Sequence, residues 1–177
     1  MRYLRNIKGK LPQLSLVAIL LGLIVLQHYV SARTEQRKKL QDREFSGEVL
    51  DELRKLFPDT RSIKQDPDPE NLSIVYDEND LPIAHFLVTS PFADDIKGYA
   101  GPIPLLVGID LENRIVGLTI LKNNESINFM NYIRKKGLLQ RWNGLTAGEA
   151  LAKHVDTITA ATSSSAAIIT SLRKRLF

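Results

Sequence analysis

The sequence predicts an α+β protein: an antiparallel sheet of hairpins packed with helices, preceded by one N-terminal transmembrane helix. Three observations lead there. Short apolar, β-branched runs flank turn-rich clusters in the middle of the chain, helical spacing of apolar residues appears after them, and one long apolar stretch stands near the start. At 177 residues the chain suits one domain plus an appendage, and 44% hydrophobic against 25% charged residues is ordinary for a folded protein. Arg2, Arg5, Lys8 and Lys10, with no acid before Ala32, account for the whole net charge of +4. The remainder is neutral, which argues against a nucleic-acid partner. With no cysteine there is no disulfide, thiolate nucleophile or Cys-ligated iron–sulfur cluster, so redox chemistry would need a bound organic cofactor.

In chain order, residues 1–10 form a basic segment expected on the cytoplasmic side. Leu11–Val30 is apolar and, as a helix of about 30 Å, long enough to span a bilayer. A cleaved signal peptide is the rival, because Val30-Ser31-Ala32 resembles a small-residue cleavage site. The anchor is preferred, since Arg33 to Asp51 continues as a polar helix; either reading puts the domain outside the cytoplasm. Residues 31–58 then read as a helical stalk and first domain helix, Thr34 to Phe57, with Leu50, Leu53 and Phe57 on one face and Pro58 as its stop.

Residues 59–177 are assigned to one domain. Asp59 to Asn71 is expected to be a loop. Leu72 to Tyr76 and Ile83 to Thr89 flank Asp77-Glu-Asn-Asp80, and Ile103 to Ile109 and Ile115 to Leu121 flank Asp110 to Arg114, which gives two hairpins. Ser90 to Pro102 connects them. Asn128 to Lys136 reads as a helix closed by Gly137, with basic residues at its C-terminal end. Trp142 is expected in the core or a pocket wall, and Thr146 to His154 forms a further short helix. His28, His85 and His154 lack partners at metal-ligand spacing, and no metal site is assigned.

The most specific stretch is Asp156-Thr-Ile-Thr-Ala-Ala-Thr162-Ser-Ser-Ser165. Ala166, Ile169, Leu172 and Leu176 follow at helical spacing, so Thr162 to Ser165 would open a C-terminal helix. From the residues alone two readings stand: a Ser/Thr-rich N-cap, or a phosphate site at the positive end of the helix with a hydroxyl open to modification.

Asp156-x-x-Thr159-Ala160-Ala161-Thr162 resembles the flavinylation motif of the FMN-binding domain family, Asp-x-x-(Ser/Thr)-Gly-Ala-Thr, as found in subunits of Rnf complexes and sodium-translocating NADH:quinone reductases. Gly98-Tyr-Ala-Gly101-Pro-Ile-Pro-Leu-Leu-Val-Gly108-Ile-Asp110 is similar to the family's glycine-rich segment and following strand. The resemblance covers the chain from Gly98 onward. Ala160 replaces the usual Gly, and Asn124-Glu125-Ser126-Ile127 keeps the family's Glu without the Thr-Pro-Gly that commonly follows.

The resemblance implies covalent FMN on Thr162, attached by a separate magnesium-dependent flavin transferase that uses FAD. Asp156, Thr159, Ala160, Ala161 and Thr162 form the modification motif. Thr159, Ala161, Ser163, Ser164, Ser165, Gly98, Tyr99, Gly101 and Glu125 are the further candidate cofactor-binding residues. It also implies an electron carrier in the cell membrane, single-pass with its domain on the extracytoplasmic side, working with redox partner proteins or a quinone-linked membrane complex. The main alternative is a non-redox, membrane-anchored binding module of the same fold without flavin; an enzyme reducing a small molecule at its own site is weaker.

Overall fold

A computed structural model describes residues 46–66 and 71–177, together with Gln27, His28 and Ser31. The expected cytoplasmic segment, the Leu11–Val30 span apart from Gln27 and His28, and most of the stalk lie outside the described residues. Among the described residues no helix is long and apolar enough to cross a membrane.

The fold is α+β. Five antiparallel strands follow one another in space as in sequence: β1 (Ser62–Lys64), β2 (Ser73–Tyr76), β3 (Pro82–Val88), β4 (Leu105–Ile109) and β5 (Ile115–Ile120). The two expected hairpins are β2–β3 and β4–β5, and β3 pairing with β4 joins them into one meander. β1 corrects the expectation of an unbroken loop from Asp59 to Asn71. Its three residues are too few for a readable alternation, and pairing with β2 defines the strand. The β2–β3 turn is held by Asp77, whose Oδ1 accepts from the N–H groups of Asn79 and Leu81. Asp110 does the same for β4–β5 through Glu112 and Arg114. These are Asx turns, the chemistry that makes Asp a turn residue.

Alternation along the strands divides the core. Leu87, Leu105, Val107, Ile109, Ile115, Leu118 and Ile120 pack in one buried cluster with Met130, Ile133, Trp142, Ile158, Ile168, Ile169 and Leu172. Their helices are α2 (Ile127–Lys135), α3 (Ala147–Ala152) and α4 (Thr162–Leu176), with a 3-10 turn at Leu139–Trp142. Trp142 is therefore core. Thr146 caps α3 in a reciprocal box with Glu149, and the Thr146 backbone N–H and hydroxyl, ahead of the Arg114 charge, hold the Glu149 carboxyl below its ordinary range.

The opposite face receives helix α1, residues 46–56 of the described chain. Gly108 and Gly117 are cross-strand partners, and Leu56 and Phe57 rest on this bare strip. A Cβ at Gly108 would lie 2.8 Å from Phe57 Cε2. Val49 and Leu53 are fully buried, and Glu48 accepts the Lys122 N–H at 2.6 Å, so α1 is fastened to the end of β5.

The expected apolar face of the last helix is broader than four residues. Ile169 and Leu172 are buried, and Ser164, Ser165, Ala167, Ile168 and Ser171 are buried with them. Each fully buried Ile or Leu contributes about 1.5–3 kcal/mol, so α4 is held chiefly by packing. His85 lies on β3 opposite Ile109; its Nδ1 is buried and has no hydrogen-bond partner among the described residues.

Candidate functional site

The segment 97–102 closes on itself through Gly98 N–H donating to Gly101 O at 2.8 Å and a bridge between Lys97 and Pro102. Gly101 has φ +147°, a backbone that side chains resist. The tip of this loop is Tyr99-Ala100, and Tyr99 is 83% exposed.

Glu125 fixes the loop in place. One carboxylate oxygen accepts the Ala100 N–H at 2.7 Å; the other accepts the Ser164 hydroxyl at 2.7 Å. The side chain is buried, and a Cβ on Gly98 would meet Glu125 Oε1 at 2.6 Å, so glycine is required at 98 for this contact. Asn123 shapes the approach by accepting the Glu125 N–H and donating to Leu121 O. Sequence reasoning missed Asn123. Its signal was available, because Asn two residues before an N–H is the pattern of an Asx turn.

The other half of the site is the turn into α4. Ala161 N–H bonds Ile158 O, and between them Ala160 takes φ +69°. That is the left-handed conformation in which glycine is favoured at the third position of a turn, and it explains why the family's pattern has Gly there. Ser165 Oγ, fully buried, accepts the Ile158 N–H at 2.9 Å and donates to Ala161 O at 2.8 Å. Asp156 is exposed, 3.0 Å from His154 Nε2, and its carbonyl accepts from Arg141. Thr159 is exposed as well.

Two expectations are corrected here. No hydroxyl caps α4, because its N-cap is Ala161. The Ser164 and Ser165 hydroxyls are buried and committed to Glu125 and to the turn, so they do not face outward as a phosphate cradle. What faces outward is backbone. The N–H groups of Thr162, Ser163 and Ser164 have no partner among the described residues, since the first bond of the helix is Ser165 N–H to Ala161 O. Thr162 is exposed, and its hydroxyl has only a 3.5 Å contact with Ile158 O, at the outer limit of a hydrogen bond.

Glu125 also bonds both halves, so Gly98, Gly101, Glu125 and Thr162–Ser165 belong to one cluster. A phosphate fits its chemistry: three unpaired N–H donors at the positive end of a 15-residue helix, beside a reachable hydroxyl. A cavity of about 560 Å³ lies elsewhere, lined by Leu87, Phe92, Ile109, Lys174, Arg175 and Phe177 among others. Lys174 is twelve residues along α4 from Thr162, about 18 Å at the helical rise, so this cavity is separate from the cluster.

Residues 98–176 match the family model for the FMN-binding domain. Both halves of the cluster fall within that match. No curated protein matches the chain.

Proposed function

We propose that the protein carries FMN covalently on Thr162 and passes electrons between redox partners, a reading supported by the match of residues 98–176 to the FMN-binding domain family model. The observation that carries this reading is the accessible Thr162 hydroxyl beside three unpaired helix N–H groups. Attachment by a flavin transferase would join the flavin phosphate to Thr162 Oγ1, breaking the pyrophosphate bond of FAD and releasing AMP. The N–H groups of Thr162, Ser163 and Ser164 would then hold the phosphate oxygens, and the helix dipole would favour their charge. The loop at Gly98–Gly101 would border the ring, with Tyr99 beside it. Bound FMN supplies chemistry that no side chain here has, acceptance of two electrons and their release one at a time; the protein supplies position and electrostatics.

An anchor over Leu11–Val30, with the domain on the extracytoplasmic side, completes the proposal. It is supported by the basic, acid-free start that precedes this apolar span.

Thr162→Val keeps the β-branched shape and removes the oxygen. Made together with the transferase, the wild type should gain an FMN-sized mass and in-gel fluorescence after denaturation, the Val variant should gain neither, and Thr162→Ser should retain part. An adduct persisting on Thr162→Val would place the linkage on another residue.

A further inference from the structure

Glu125 is a buried carboxylate that neither attachment nor phosphate binding requires. We infer that it is a positioning residue of the flavin site, locking the glycine loop to the first turn of α4 and setting the redox potential through its negative charge. This role presupposes the flavoprotein function proposed above.

Three features lead to it. Both oxygens act as acceptors, from Ala100 N–H and from the Ser164 hydroxyl, which is the bonding pattern of the ionised form. Such bonds are roughly twice as strong as neutral ones, and losing a partner to a buried charge is costly. Second, the surroundings have been shaped around this carboxylate: glycine at 98 leaves room for Oε1, and Asn123 orients the backbone that presents it. Third, it is the contact point between the two stretches that carry the resemblance, 98–101 and 156–165. Ser164, which it holds, is two residues from Thr162.

The charge has a consequence that the hydrogen bonds alone do not. No lysine, arginine or histidine forms an ion pair with Glu125 among the described residues. A carboxylate shielded from water acts on its neighbours through a lower dielectric than bulk solvent. Reduction adds electrons to a flavin held in this cluster, so a fixed negative charge disfavours the reduced form and lowers the potential. The negative charge also opposes the phosphate, which the three N–H groups of α4 offset.

Glu125→Gln separates the two roles. The amide can keep an acceptor for Ala100 and donate to the Ser164 oxygen, so the tie survives while the charge goes. Glu125→Ala removes both. In flavin-free protein, hydrogen exchange at the Ala100 amide should stay slow in the Gln variant and quicken at least tenfold in the Ala variant. In flavinylated protein, titration against reference dyes should show the Gln variant with a more positive midpoint potential. A tenfold change in the two-electron equilibrium is about 30 mV, and at least that is expected. A Gln potential within 30 mV of wild type overturns the electrostatic role. Unchanged Ala100 exchange in the Ala variant overturns the positioning role, and if that variant does not fold, the Gln potential still decides. Wild type that takes up no flavin from the transferase would instead refute the proposed function, and the exchange measurement would continue to test the tie.

Discussion

Replacing Ala160 by glycine should stabilise the domain and speed its modification together. Ala160 has φ +69°, and its neighbours hold it there through the Ala161 N–H to Ile158 O bond and the Ser165 bridge to Ile158. A left-handed conformation costs an L-residue about 1–2 kcal/mol. Glycine escapes that cost but loses about 0.4–1 kcal/mol through the freedom it adds to the unfolded chain. The net gain is about 0.5–1 kcal/mol, a rise in melting temperature of about 2–4 °C for a unit of this size. Ala160→Val, β-branched and therefore poorer still at positive φ, should lose at least about 1 kcal/mol. Thermal and urea unfolding of the flavin-free protein measure both. Under limiting transferase, the Gly variant should also reach a higher flavinylated fraction, because the motif's turn then lacks the strain of a Cβ. A Gly variant less stable than wild type, or a neutral Val variant, would show that residue 160 does not adopt this backbone in solution.

Three further outcomes follow from packing and charge. Gly108→Ala brings a Cβ to 2.8 Å from Phe57 Cε2 and 2.9 Å from Leu56 Cδ1, so it should cost about 1–3 kcal/mol by urea unfolding, and adding Leu56→Ala should recover less than the full loss if Phe57 is the harder clash. Ser165→Ala strands the buried Ile158 N–H and should cost about 1–3 kcal/mol; a smaller loss would mean that water replaces the hydroxyl. The Glu149 carboxyl, held below its ordinary value of 4.5 chiefly by Thr146, is deprotonated more readily in the folded state than in the unfolded one. Its contribution is therefore present above about pH 4.5 and lost as pH falls through the lower folded value, so Glu149→Gln should flatten that part of the melting-temperature profile, read by calorimetry.

What the sequence discloses about this fold depends on the range over which each interaction acts. Alternating apolar residues and Asx turns are local, so β2 to β5 and their two tight turns are legible; so is α3, whose Thr146 and Glu149 form a capping box within four residues. β1 is not legible, because a three-residue strand owes its existence to Tyr76, Val75 and Ile74 on its partner. The same distinction divides the site. Thr162 and Ala160 stand out within a contiguous motif, whereas the fate of Ser164 is decided 39 residues away by Glu125. A run of four hydroxyls looks alike along the chain, yet α4 turns Ser164 and Ser165 inward and leaves Thr162 and Ser163 exposed, since successive residues on a helix point about 100° apart. Burial thus removes Ser164 and Ser165 from the candidate acceptors and leaves Thr162 and Ser163. It also shows how Glu125 is held: its two oxygens join the two segments that carry the resemblance, and only the folded chain reveals that both are already committed.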